Sequence, residues 1–335
     1  MGAIIDCNTL FGFWQKDTED RSLERLLHIM AVSGVDQALT LSGRGVWAEF
    51  EEGNRETLQV CARHLQLLPV ATIRPTDYYR CREEIAGLRE RGFQMIRLFP
   101  TTQGWSISHL CFRRLVEAFL AAGLPLAFER PIDEKPEAMA RVIEMFAGSD
   151  LPLIFSGVSY DLAEFLSACA LYPNCYTDTW QLFLLNEMEI IRDEVGIERV
   201  LYGSKAPFEM PGAPLEMIRY SRLTEEEKEK VLGGNVLSLG GVGFPVRRSL
   251  GEGGSRPADE GGRMGAPCPL ARTSPHAAPP SEEGLRVRVI DVHAHYGAWN
   301  GLPNPYVSID DLLETCHRFN IEKCCLSRNI DGWFD

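Results

Sequence analysis

Two histidines stand two residues apart in Asp291-Val-His293-Ala-His295. In a strand, residues i and i+2 point to the same face. Two imidazoles placed so at a strand's C-terminal end can grip one ion, and imidazole suits zinc, iron or nickel. The apolar run before the pair and Tyr296-Gly297 after it favour this reading over a chance pair. A second group, Arg97, Glu129, Asp178 and Lys205, falls near the ends of other apolar runs. Arg97 has the planar fork that takes a substrate carboxylate. Glu129 has the chemistry of a general base, and a desolvated Lys205 that of a nucleophile. Asp178 joins them as a catalytic candidate. The plainer reading of all four is a salt-bridged polar lining. Trp14, beside Phe11 and Phe13, and Trp105 either roof a small-molecule pocket or pack between helices.

Elements of the right spacing exist to carry these groups. Apolar runs predict strands at 3–7, 36–41, 68–73, 94–99, 125–129, 152–155, 174–177 and 199–202. Between them lie amphipathic stretches such as 22–33, with Leu23, Leu26, Leu27 and Met30 on one helical face. Pro136 suits a helix start, Thr224 and Glu227 form a capping box, and Gly233-Gly234 suits a helix end. Eight βα units of about 30 residues match a (β/α)8 barrel better than a doubly wound open sheet. His28, His64 and His109 fall in helix-like stretches, where surface or packing roles are expected. From Pro245 to Gly284 the chain holds 7 Gly and 7 Pro and no aromatic residue, which predicts a flexible linker over 245–285. The expected organisation is a barrel over 1–244, that linker, and a last part, 286–335, carrying His293 and His295.

The last part repeats the start of the first. Val289-Ile-Asp-Val-His-Ala-His-Tyr-Gly-Ala-Trp299 aligns without a gap on Ile4-Ile-Asp-Cys-Asn-Thr-Leu-Phe-Gly-Phe-Trp14. Ser308-Ile-Asp-Asp-Leu-Leu then follows Ser22-Leu-Glu-Arg-Leu-Leu after a one-residue slip. The second copy ends after two strands, a βαβ fragment that cannot close a barrel. Ile290-Asp-Val-His-Ala-His and Val200-Leu-Tyr-Gly-Ser-Lys-Ala-Pro-Phe208, with Leu223 to Asn235 as a closing helix, resemble the amidohydrolase superfamily, in particular its TIM-barrel metal-dependent hydrolases and decarboxylases. The resemblance implies metal ligands at a His-x-His pair, at two further histidines on strands five and six, and at an aspartate after strand eight. The first copy departs from that pattern throughout: Asn8 and Leu10, Glu129, Ser156 and Lys205 stand at those positions. An ammonium at the ion's place repels a divalent cation. Lys205 is therefore expected to pair with Glu129 across the barrel mouth.

A net charge of −13 argues against nucleic acid and anionic membranes as partners. Neither a signal peptide nor a membrane span is read, so a cytoplasmic protein with reduced, buried cysteines is expected. The leading functional expectation is a metal-less pseudoenzyme barrel. It would serve as a binding or assembly module for an active relative or for its own copies. The alternative is a metal-dependent hydrolase or decarboxylase of a small carboxylated substrate, with its catalytic unit in the truncated second copy. On that reading zinc or a similar metal is needed only there, and no cofactor in 1–244. A further alternative is a metal-free, lactonase-like hydrolase using Glu129 and Lys205.

Overall fold

The computed structural model describes residues 2–15, 19–130, 132, 137–184 and 186–239, together with the backbone of 289–298, 306–307 and 321–328. Eight parallel strands follow one another in strict sequence order: β1 (Ile5–Phe11), β2 (Gln37–Ser42), β3 (Leu67–Ala71), β4 (Met95–Leu98), β5 (Leu126–Phe128), β6 (Leu153–Phe155), β7 (Cys175–Asp178) and β8 (Val200–Leu201). The eighth returns to the first. Cys7 N donates to Tyr202 O at 2.8 Å, Lys205 N to Asn8 O at 2.7 Å and Leu10 N to Ala206 O at 3.0 Å. The sheet is thus the closed barrel the βα spacing predicts, and the open-sheet alternative falls away.

Period-two alternation divides the apolar residues into two layers. Ile5, Leu39, Leu41, Leu68, Val70, Met95, Ala127, Ile154 and Leu201 form one cluster inside the barrel. Leu67, Ala71, Ile96, Leu98, Leu126, Phe128, Leu153, Phe155 and Val200 pack outward against the helices. Each strand carries its next inward residue past the apolar plug to the C-terminal mouth, which is where this fold assembles its chemistry.

The helices begin where local chemistry dictates. Helix α1 (Leu23–Ser33) is capped by Ser22, which accepts from Arg25 N, and is stopped by Gly34 at φ 72°. Thr224 and Glu227 form the expected capping box. The expected stop at Gly233-Gly234 is not observed. The chain runs through them as a π-helical turn, Lys230–Gly234, into a last helical turn at Asn235–Ser238. Close packing is the reason: a β-carbon on Gly233 would lie 2.3 Å from the carbonyl oxygen of Ala3, at the foot of β1. The helix expected to begin at Pro136 begins at Ala138, and Pro136 itself lies outside the described residues, as does the linker predicted over 245–285.

A second sheet of three strands joins Val289–Ala298, Tyr306–Val307 and Ile321–Arg328. Its parallel pair repeats the β1–β2 register. Ile290 faces Lys323 as Ile5 faces Gln37, and Asp291 faces Cys324 as Asp6 faces Ala38. His295 faces Ser327 as Leu10 faces Leu41, and one register shift falls at the same place in both pairs, the second pair carrying a further one between Ile321 and Lys323. No helix among the described residues is long and apolar enough to cross a membrane. Cys7, Cys61, Cys81, Cys111, Cys169 and Cys175 are all free.

Gly233→Ala is expected to cost about 1–3 kcal/mol through overpacking against Ala3, read as a lowered urea midpoint. Gly212→Ala, where nothing lies within 4 Å of the added carbon, should leave the midpoint unchanged.

Candidate active site: a closed polar ring

Six strands send a polar inward residue to the mouth: Asn8 from β1, Arg97 from β4, Glu129 after β5, Ser156 after β6, Asp178 from β7 and Lys205 after β8. Thr72, following Val70 on the interior side of β3, adds a seventh, and all seven are buried. Leu10 is part of the apolar interior instead.

The charges are arranged around Glu129, which is 4% exposed. Arg97 donates to its Oε2 through Nε at 3.1 Å and also through Nη2. Lys205 Nζ lies 2.5 Å from Oε1, as an ion pair without hydrogen-bond alignment. Burial alone would raise the Glu129 carboxyl, but the charges of Arg97 and Lys205 outweigh it and hold it below the ordinary range. The expected Glu129–Lys205 pair is therefore present. Arg97, read from sequence as a receptor for a substrate carboxylate, holds a carboxylate of the protein itself. Lys205 Nζ also sits 3.7 Å from the centroid of the Trp180 ring, a cation–π contact. Trp180 in turn donates from Nε1 to Glu209 Oε1 at 2.9 Å.

A second carboxylate stands beside this triad. Asp178 Oδ2 accepts from Asn8 Nδ2 at 2.8 Å and from Ser156 Oγ at 2.7 Å, and its Oδ1 accepts from Trp180 N at 3.1 Å. Burial pushes its carboxyl up to about 6. The ring thus pairs two cations with two carboxylates.

Lys205 is placed by a strained turn. It adopts φ 60°, a left-handed conformation that side chains with a β-carbon rarely take. Asp6 holds the turn. Its Oδ1 accepts from Ser204 N at 3.1 Å and Asn8 N at 3.0 Å, and its Oδ2 from Ser204 Oγ at 2.5 Å. Burial raises the Asp6 carboxyl to about 7. Sequence reasoning assigned Asp6 no role, although the same Asp precedes His293 in the repeat.

Aromatic rings close the mouth. Trp14 packs edge-on against Phe208, Trp47 and Phe99 with centroids 4.8, 5.4 and 6.3 Å apart. Arg21 ties this roof to the β8 loop, donating to Pro207 O at 2.6 Å and stacking over Phe208. Trp105 lies elsewhere. It is buried in the helix-facing layer, 5.2 Å from Phe112 of the helix Leu110–Ala122, because its loop folds back onto that helix. His28 is in α1, His64 caps the helix Phe50–Arg63 and His109 caps the helix Leu110–Ala122, so each belongs to a helix or its cap rather than to a strand end. His293 and His295 lie on a strand of the second sheet.

The residues do not fit the divalent ion that the resemblance implies. Lys205 brings an ammonium, Asn8 turns an N–H donor toward Asp178, and Leu10 brings no donor atom. Among the described residues no group of three or more His, Cys, Asp or Glu is placed to hold a cation.

A closed parallel barrel with its polar residues gathered at the strands' C-terminal ends defines the TIM-barrel class. Within it, the chain belongs to the amidohydrolase family, whose profile matches residues 19–237. It is similar in structure to 5-carboxyvanillate decarboxylase from Sphingomonas paucimobilis (16% identity, TM-score 0.55, 71% of this chain and 98% of that one). It is also similar to 2,6-dihydroxybenzoate decarboxylase from Rhizobium (14% identity, TM-score 0.57, 71% and 98%). A third is dihydroxybenzoic acid decarboxylase from Polaromonas sp. JS666, solved with manganese and the inhibitor 2-nitroresorcinol (13% identity, TM-score 0.58, 71% and 97%). No curated protein matches the chain.

Two stability effects follow. Lys205→Met leaves Glu129 with one cation instead of two and should cost about 3–5 kcal/mol in urea unfolding. Asp6 and Asp178 titrate at about 7 and about 6 in the fold against 3.8 unfolded, so their contribution is complete at low pH and is lost as pH rises through those values. Glu129, lowered from 4.5, contributes above 4.5 and fails as pH falls below it. Stability should therefore peak at about pH 4 and decline toward about pH 7, and Asp178→Asn should flatten that decline.

Proposed function

We propose that the barrel of 1–244 is a metal-independent member of the amidohydrolase family, acting as a binding or assembly module rather than as a metalloenzyme. Its partners on this reading are copies of itself or an active relative, and a small-molecule ligand at the mouth. The observation that carries it is the Lys205–Glu129 pair at 2.5 Å with Arg97 on the same carboxylate. These three side chains satisfy one another and leave no cluster of lone pairs for a cation. The same geometry weighs against a lactonase-like hydrolase built on Glu129 and Lys205. A carboxylate held low by two cations is a weak base, and an amine engaged in an ion pair and stacked on Trp180 is not presented as a nucleophile.

A second reading has its own support. The parallel pair of 289–298 and 321–328 repeats the β1–β2 register, shift included, with His293 and His295 at the places of Asn8 and Leu10. That favours 286–335 as the start of a second, ligand-bearing barrel, joined through 245–285. On this reading the protein is a metal-dependent hydrolase or decarboxylase of a small carboxylated substrate, its reaction carried by that second unit. The structural similarity to manganese-binding decarboxylases fits this reading at the level of the family.

One experiment separates them. The full chain, supplied with manganese or zinc, is assayed for carbon dioxide release from 2,6-dihydroxybenzoate and 5-carboxyvanillate, and its metal content is measured beside that of a His293→Ala, His295→Ala variant. The module reading predicts no turnover and less than about 0.1 equivalent of metal in the variant. Stoichiometric metal retained by the variant contradicts it. Turnover and metal that both vanish in the variant assign the second reading.

A further inference from the structure

One detail of the ring is unexplained by a purely structural role. Asn8 is 2% exposed and spends its Nδ2 on Asp178, while its Oδ1 has no hydrogen-bond partner among the described residues. Thr72 Oγ1, on a residue 1% exposed after β3, also has none. A buried, unpaired amide oxygen costs about 1–3 kcal/mol, so its persistence asks for a second arrangement in which it is used.

The side-chain chemistry supplies one. An amide can turn over and exchange its donor and acceptor ends. With Asp178 ionised, Asn8 must offer it Nδ2. With Asp178 protonated, the carboxylic acid can donate to Asn8 Oδ1, and the turned amide then carries Nδ2 to the place where the orphan oxygen stood. The same proton changes the charge of the ring. Arg97 and Lys205 against Glu129 and Asp178 cancel, whereas Arg97 and Lys205 against Glu129 alone leave one positive charge. The mouth then holds a surplus cation and a free amide donor beneath the rings of Trp14 and Phe208.

We infer that the ring is a proton-linked anion site: one small monovalent anion enters together with one proton, the proton resting on Asp178 and the anion lying among Lys205, Arg97 and the turned amide of Asn8. The inference rests on the reading that Lys205, not a metal ion, occupies this centre. The charged and titratable groups that face Asp178 are Asp6 and Cys7 from β1, Arg97 from β4 and Glu129 from β5, with Lys205 after β8 paired to Glu129. Glu129 is fixed as a carboxylate between its two cations, and burial holds the Cys7 thiol neutral. Asp6 is engaged by three donors of the β1 and β8 backbone and Ser204. Asp6, raised to about 7, takes its proton above the range in which Asp178 does and touches neither cation, so within the ring Asp178 is the group whose protonation changes the charge. Its carboxyl, raised by burial to about 6, puts that change in the mildly acidic range.

The test is calorimetric titration of sodium formate into the full chain at about pH 5.5 and about pH 8, in two buffers of different ionisation enthalpy, with the metal content of the same sample measured. The expected result is binding at least about tenfold tighter at the lower pH, with uptake of roughly one proton per anion near about pH 7. Asp178→Asn, which cannot ionise, should bind formate with less than about a threefold difference between the two pH values and take up well under half a proton, the remainder being due to Asp6. Lys205→Met should not bind, with its circular dichroism checked against the wild type. Equal affinity of the wild-type chain at both pH values, or no binding at the lower one, overturns the inference, as does formate binding that survives in Lys205→Met. If the sample is metal-free and formate fails to bind, this inference alone falls. If it carries a stoichiometric divalent ion within the barrel, the reading beneath it falls.

Discussion

Two cations gripping one buried carboxylate is the constraint around which the mouth of this barrel is organised. Three charges out of water are each expensive, and their mutual attraction offsets that only when the geometry is tight. Glu129 supplies one oxygen to each cation, so neither is left unpaired. The grip spans β4, β5 and β8 directly. Through Trp180 it reaches the β7 loop, and through the turn at Lys205 it reaches Asp6 on β1. A bound metal in such a barrel would draw the same strands together by coordination. Here an internal ammonium does so, and the strand-eight turn has been bent into a left-handed conformation to bring it there.

The rest of the ring follows from placing that ammonium. Asp6 must hold Ser204 so that Lys205 can take φ 60°, and it does so from a buried position on β1, where burial raises its carboxyl. Gly203 is required beside it, since a β-carbon there would meet those of Asp178 and Asn8 at 2.8 and 2.9 Å. Asp178, displaced from the cations by the Glu129 pair, is left to neutral donors, Asn8 and Ser156. The aromatic roof then keeps water from weakening the ion pairs beneath it.

Much of this was legible in the residues, and the reason is periodicity. Each strand is a short apolar run ended by a polar residue, so Gln94 to Phe99 announced β4 and placed Arg97 at its end. Ser22 and Thr224 announced their helices because caps are local chemistry. The Glu129–Lys205 pair was readable because two departures from one metal-binding pattern have opposite charge. What was not legible depends on distances the chain does not encode locally. Nothing in the sequence joins Arg97 to Glu129, 32 residues away, rather than to a ligand. Trp105 sits in a loop whose fold-back onto Phe112 decides whether it faces the mouth or a helix. Gly233-Gly234 reads as a helix stop, and only the approach of Ala3 shows that these glycines make room for β1.

The account stands or falls on what occupies the centre of the ring. The most direct measurement is anomalous diffraction at the manganese edge from crystals of the protein soaked in a manganese salt. The account predicts no anomalous peak within the 1–244 barrel, with Lys205 Nζ still on Glu129. An ordered manganese ion coordinated by Glu129 or Asp178, with Lys205 turned away, would contradict it.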